Sequence, residues 1–480
     1  MSQGSRKRLE ALVLLWGIAS LSIAGEQQEE KKKAAVTLGA YAISVGGQYR
    51  VIADGANYGF HPNVIAPEQD AESFVNQRFR PWVNFYDAED RDHGVYLQLE
   101  IGHILWGDDF EFPKTYEANG SEVGVELRRG YLWFKPSEAS LLRVGILDWH
   151  DRFGERPSFE DPLWAVDDYD SFEAPLANSV WDFNVGGAVF DFEPAERWHS
   201  SLGAMVLKKG DRTLSGEGGA LLFTGDVDRD IGDGLLGASL YYLRDKGGYS
   251  YGDFGGPARP NSGVAKSSWD LWTGLRAHFR IGKVSPSFFA ILNTGKVEEP
   301  SWEHTGWALK GAADVETGKG KLTIRAHYST GNDSSSPDKS DEFRTIAQSV
   351  RDDFGAQSYW SLLGLSSPRG ASDVNDLGVG LQNRGLGLVS LQGAFERALT
   401  PATTGYVAAG WLRADEKNPV SDATDMGIEV LGEIHWALDK AIGVDLGGAY
   451  LWTGDFYKSA PGASAPDNLY ELYARFQLEF

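Results

Sequence analysis

The chain of 480 residues contains no cysteine and only 3 methionines. The first absence excludes disulfide frameworks, thiolate metal sites and cysteine nucleophiles together. The chain also lacks the repeated apolar runs of about 20 residues that a bundle of membrane helices requires. Basic residues are scarce: 45 Lys and Arg stand against 68 Asp and Glu, a formal charge of −23. A polyanion such as nucleic acid is therefore repelled and is not an expected partner. No Walker A, G-x-S-x-G or Rossmann fingerprint occurs in a fitting context. The 9 His residues show no H-E-x-x-H or other ligand spacing. No enzyme activity, cofactor or metal is expected. Gly and aromatic residues are in excess, at 58 residues and 12%, a content too apolar for a disordered chain.

The N-terminus reads as an export signal. Arg6, Lys7 and Arg8 precede an apolar segment from Ala11 to Ile23, and Ser22 and Ala24 occupy the −3 and −1 positions of a small-residue cleavage site. Cleavage there removes three basic residues and one acid, taking the charge from −23 to −25. The expected organisation is a signal at 1–24, a periplasmic lead at 25–37 and a barrel domain at 38–480.

Beyond the signal the chain alternates. Tyr470, Leu472, Ala474, Phe476, Leu478 and Phe480 share one parity, and Glu471, Tyr473, Arg475, Gln477 and Glu479 the other. A period of two puts these sets on opposite faces of a strand. The same pattern runs through Val95–Gly102, Trp269–Phe279 and Leu322–Ser329. Segments of about 10 alternating residues fit tilted membrane-spanning strands.

Short connections are expected at 87–93, 135–140, 192–198, 226–234, 280–283, 316–320, 398–403 and 438–441. Long ones are expected at 53–73, 104–122, 148–180, 209–216, 245–267, 293–304, 331–375, 414–426 and 453–468. Short and long connections alternate, as in outer-membrane barrels. With 376–383 and 387–397 taken as one long strand, about 18 antiparallel strands result, or 16 in another register. The fold class is thus an all-β transmembrane barrel. The outward face must then be apolar, and the sheet must close.

The opposite parity lines the interior. It carries Arg50, Arg78, Arg80, Arg143, Arg276, Lys310 and Arg325, joined by Arg128, whose parity is ambiguous beside Arg129. Inward carboxylates are Glu100, Glu126, Asp182, Asp270, Asp314, Glu429, Glu433 and Asp445. Cations gather on the early strands and carboxylates on the later ones. That division sets a field across a lumen; a bracing ladder of Arg–carboxylate pairs is the structural alternative.

Trp82, Trp133, Trp269, Trp302, Trp307, Trp411, Trp436 and Trp452 lie near strand ends and are expected in interfacial girdles, whereas Trp272 points inward and could stack on a sugar face. Asp226, Asp228, Asp230 and Asp233 are spaced like the start of a calcium loop but lack its glycine and distal glutamate, and are expected in a solvated turn. The denser set Asp161, Asp167, Asp168, Asp170 and Glu173 is expected in a solvated loop, with a bound divalent ion as the alternative. In the longest connection, Asp341–Val350 could form a short helix with Phe343, Ile346, Ala347 and Val350 on one side. His199, Ser200 and Ser201 are the only hydrolase-like neighbourhood, and adjacent strand residues face opposite ways.

In layout, and in Phe79-Arg80-Pro81-Trp82, Leu127-Arg128-Arg129-Gly130-Tyr131, Leu142-Arg143-Val144-Gly145 and Tyr359-Trp360-Ser361, the chain resembles the alginate-export family of outer-membrane porins. The resemblance implies a monomeric channel with an electropositive lumen that passes anionic polysaccharide or small anionic solutes. Arg78, Arg80, Arg128, Arg143 and Arg276 match its inward basic pattern by position; the inward carboxylates depart from it. Expected partners are outer-membrane lipid, the solute, and the barrel-assembly machinery acting on the strand that ends at Phe480. A trimer of channels stays open at this point. The alternative function is a surface receptor or adhesin acting through loops 148–180 and 331–375.

Overall fold

A computed structural model describes residues 35–57, 73–105, 125–149, 151–153, 184–208, 219–246, 267–298, 301–333, 336, 338–346, 380–458, 461 and 468–480. Eighteen long strands follow one another: β1 (Tyr41–Ala56), β2 (Ser73–Asp87), β3 (His93–Leu105), β4 (Val125–Ser137), β5 (Ser140–Asp148) and β6 (Asn184–Ala195). Next come β7 (Trp198–Lys208), β8 (Ala220–Ile231), β9 (Gly234–Asp245), β10 (Ser268–His278), β11 (Val284–Val297) and β12 (Trp302–Thr317). The last are β13 (Gly320–Ser329), β14 (Leu388–Thr400), β15 (Thr403–Asn418), β16 (Ala423–Ala437), β17 (Ile442–Thr453) and β18 (Leu469–Glu479). Each pairs antiparallel with the next, and β18 returns to β1, so the sheet closes into a barrel. At the seam Gly47 N–H donates to the Phe480 carbonyl (2.9 Å) and Phe480 N–H donates back to the Gly47 carbonyl (3.1 Å). Two short pieces, Ala35–Leu38 and Lys339–Ser340, are not part of the ring count.

The pleat sorts each strand as the alternation demands. On β9, Leu236, Leu240 and Tyr242 are exposed while Ser239, Tyr241 and Leu243 are buried. The exposed set forms a belt around the outside, with Leu240 53%, Leu275 55% and Leu472 56% exposed. So much apolar surface facing outward would be a liability in water and suits hydrocarbon. Among the described residues no helix is long and apolar enough to cross a membrane; crossing is done by strands.

Several expected boundaries shift. The connection at 226–234 shrinks to 232–233, because β8 runs to Ile231 and Asp226, Asp228 and Asp230 belong to it. Asp226 and Asp228 are buried, so the solvated turn is overturned there. The long connections at 293–304 and 414–426 are in fact 298–301 and 419–422. There β11, β12, β15 and β16 rise past the apolar belt, where outward residues need no longer be greasy. Pairs such as Lys296–Glu303 (3.2 Å) and Lys417–Asp422 (2.9 Å) replace them. The segments 376–383 and 387–397 are not one strand. A 3₁₀ turn at Asn383–Gly385 precedes β14, with the Asn383 amide donating to the Gly387 carbonyl at 2.7 Å; 376–379 lie outside the described residues. Asp341–Ile346 is not helical. Glu342–Ile346 are buried in a non-helical strap, so tertiary contacts override the three-and-four spacing.

Candidate pore lining

One inward wall, from β1 to β5, is built of arginines. Arg50, Arg78, Arg80 and Arg143 all face in and are 1–5% exposed. Arg78 donates to the Gln48 side chain at 2.9 Å. The ambiguity at Arg128–Arg129 resolves as a bulge between β3 and β4, where Gln98 pairs with Arg129 and Leu99 with Leu127. A bulge lets consecutive residues share a face, and both guanidiniums are buried. Arg80 and Arg128 converge on one oxygen of Glu100, the latter at 2.8 Å. Arg143 pairs with Asp191 on β6 at 2.9 Å.

The facing wall, β8 to β13, is overlaid by two straps. In the first, Asp151–Phe153, Arg152 pairs with Asp191 and its N–H donates to the Tyr241 hydroxyl at 3.0 Å. Phe153 lies edge-on to Tyr241, with ring centres 5.6 Å apart, directly above Gly274. A Cβ on Gly274 would stand 2.4 Å from the Phe153 ring, so only glycine admits the strap. In the second strap, Arg344 N–H donates to the Asn293 side chain (3.2 Å) and Trp272 Nε1 donates to the Arg344 carbonyl (2.7 Å). Arg344 pairs with Glu342 at 2.9 Å. Gly306 allows that strap in as well, since a Cβ there would meet the Glu342 carbonyl at 2.3 Å.

The remaining sequence-derived positions separate by surroundings. Asp270 is buried beside His304 (2.9 Å) and Arg344 (3.5 Å). Arg276 is held by Asp228 and lies 3.6 Å from Asp226. Lys310 faces in over the Phe289 ring at 5.9 Å, and Arg325 is half-buried. Glu429 and Glu433 are buried on β16, where Glu433 accepts the Tyr473 hydroxyl; Asp445 on β17 takes His435 (2.6 Å) and Arg475 (2.8 Å). Asp314 accepts the Thr323 hydroxyl at 2.7 Å, and Glu126 is exposed. Asp182 and the acidic set Asp161–Glu173 lie outside the described residues.

Three expectations about aromatics fail. Trp133 and Trp302 face inward and are buried, Trp133 donating to Asn84 at 3.0 Å. Trp272 has no free face for a sugar because the second strap covers it. Trp307, Trp411 and Trp452 do face outward and are exposed. His199 is flanked by Glu193 (3.1 Å) and Asp230 (2.9 Å), with no serine hydroxyl among these contacts.

Asp191, Asp226, Asp228, Arg129, Arg152 and Arg344 were not among the expected pore-lining residues. Asp191 alternates with the outward Phe190 and Phe192, and so could have been found by parity. The strap arginines sit in aperiodic loops and carry no such signal.

These features define an 18-stranded antiparallel transmembrane β-barrel with a charged interior. No family model and no curated protein matches the chain in sequence. In structure it is similar to OccAB1 of Acinetobacter baumannii, with a TM-score of 0.54, 10% identity, and coverage of 91% of this chain and 97% of that one. It is also similar to OccK8 (OprE) of Pseudomonas aeruginosa (0.54, 10%, 91% and 98%). A third is OpdK of Pseudomonas aeruginosa with vanillate (0.52, 10%, 91% and 98%). At such identity the likeness is one of fold.

Proposed function

We propose that the chain is an outer-membrane channel giving small hydrophilic anions, or an anionic polysaccharide, passive passage through its lumen. The observation that carries this reading is the asymmetry of the interior. Six buried guanidiniums, from Arg50, Arg78, Arg80, Arg128, Arg129 and Arg143, share one wall, and the two straps overlie the opposite one. A solute threading past that wall feels the field of its buried cations, which favours anions in a low-dielectric passage. Arg276, Lys310 and Arg325 extend the charged lining, and Glu100, Asp270, Glu429 and Glu433 limit its net sign.

The described parts of both long loops turn into the barrel, which supports transport over surface adhesion. The fold shared with OccAB1, OccK8 and OpdK supports a passive channel without catalysis. The motifs around Arg80, Arg128 and Arg143 support a place near the alginate-export porins, with the C-terminal strand through Phe480 recognised by the barrel-assembly machinery. One copy forms one lumen.

The test is ion selectivity in planar bilayers. Neutralising Arg78, Arg80 and Arg143 together is expected to move the reversal potential toward cations. Vanillate, named with OpdK, serves as the first organic anion, and alginate oligomers test the polymer. An unmoved reversal potential would remove the arginines from the conduction path.

A further inference from the structure

On the outside of the barrel, at the loop end of β9 to β11, stands a row of residues that an apolar belt does not need. Register places Arg244 opposite Trp269, and Trp269 opposite Lys296. All three lie on the outward parity, with Arg244 exposed and Trp269 half-buried between the cations. Among the described residues Arg244 makes no ion pair, in a protein whose acids outnumber its bases by 68 to 45. Lys296 is 3.2 Å from Glu303, with the two side chains 38% and 64% exposed. Pairs that open to solvent are weak, so another anion can take the ammonium. Among the described residues Glu298, in the adjoining turn, is the other carboxylate on this edge.

Directly below the row the wall is hollowed. Gly225, Ala238 and Ala290 form a floor between the rims of Leu202, Leu240 and Leu292, in an open groove of about 710 Å³. Leu240 is four residues along β9 from Arg244, about 13 Å of strand. At the opposite border of the belt Arg229 lies 5.2 Å from the Trp198 ring. The groove therefore sits within the apolar zone, and Arg244 and Lys296 sit at its loop-side edge.

We propose that this outer wall binds a phosphorylated glycolipid of the loop-side leaflet. Its phosphate lies between Arg244 and Lys296, a sugar ring stacks on Trp269, and an acyl chain lies in the groove. Guanidinium and ammonium together suit a phosphate, and an indole at the interface suits the sugar above the chains. An unphosphorylated lipid would satisfy the groove but offer the two cations at its edge no phosphate. The proposal rests on the transmembrane barrel but not on the conduction path. Reversal potential reads the lumen and lipid retention reads the outer wall, so either reading can fail alone.

The experiment is native mass spectrometry of the detergent-extracted barrel. Its probes are diphosphorylated lipid A and the same acylated disaccharide stripped of phosphate, with heat-modifiable migration on a gel as the check that each sample is closed. The wild-type protein should retain the phosphorylated probe about tenfold better. Arg244→Gln/Lys296→Gln should bring it down to the level of the stripped one. Gly225→Phe should weaken retention of both by filling the groove; a Cβ there meets nothing nearer than Leu202 and Leu240 at 3.8 Å. Equal retention of the two probes by the wild type, which needs no variant, would overturn the proposal. So would undiminished retention in the double variant or in Gly225→Phe.

Discussion

Arg50 on β1 and Arg78 on β2 stand directly opposite each other on the inward face, 4% and 1% exposed. Like charges opposed across a strand pair destabilise a sheet by up to about 1 kcal/mol, and a wall selected only for strength would place a carboxylate at one position. Arg50→Gln is therefore expected to leave thermal stability unchanged or raised by up to about 1 kcal/mol, while moving the reversal potential toward cations. Melting followed by heat-modifiable migration, alongside bilayer recordings, checks both halves. A destabilised barrel with unaltered selectivity would make Arg50 a brace.

The barrel was legible because one rule, a greasy outward parity, governs every crossing. It placed Arg50, Arg78, Arg80, Arg143 and Arg276 on the inner face from the residues alone. It failed where that rule stops applying. Above the belt β11 and β15 continue with charged outward residues such as Lys296 and Lys417, and their tops resemble loops. Inside, alternate aspartates on β8 resemble a turn until their partners Arg276, Ser239 and Tyr241 come from other strands. Arg152 and Arg344 were illegible for a deeper reason. Their positions depend on sockets assembled from strands between β6 and β12, and no local pattern encodes a long-range socket.

Asp191 serves both Arg143 on the barrel wall and Arg152 on the first strap. Removing Arg152 leaves Asp191 paired with Arg143, so no buried charge is stranded on the sheet and the loss falls on the strap. Arg152→Ala/Phe153→Ala is expected to free the strap from Tyr241 and Gly274 and to raise single-channel conductance, with heat-modifiable migration retained. Unchanged conductance would mean that the strap lies clear of the narrowest part.

The second strap begins at a carboxyl, Asp341, that responds to pH. Burial, and next the neighbouring Asp333 carboxyl, hold Asp341 above the ordinary carboxylate range, with Lys339 opposing. Asp338, three residues earlier, is held below that range chiefly by the Ser336 hydroxyl. Asp341 thus binds its proton more tightly in the folded strap than in a released one. Its contribution to seating Glu342–Ile346 is complete below its ordinary value of about 3.9 and is lost as pH rises through the raised folded value. Current noise in single-channel records should accordingly grow as pH climbs through that window. In Asp341→Asn, which keeps a hydrogen-bonding side chain that cannot ionise, noise should stay flat across the same range. Superimposable pH profiles for the two proteins would show that the Asp333–Asp341 pair does not govern the strap.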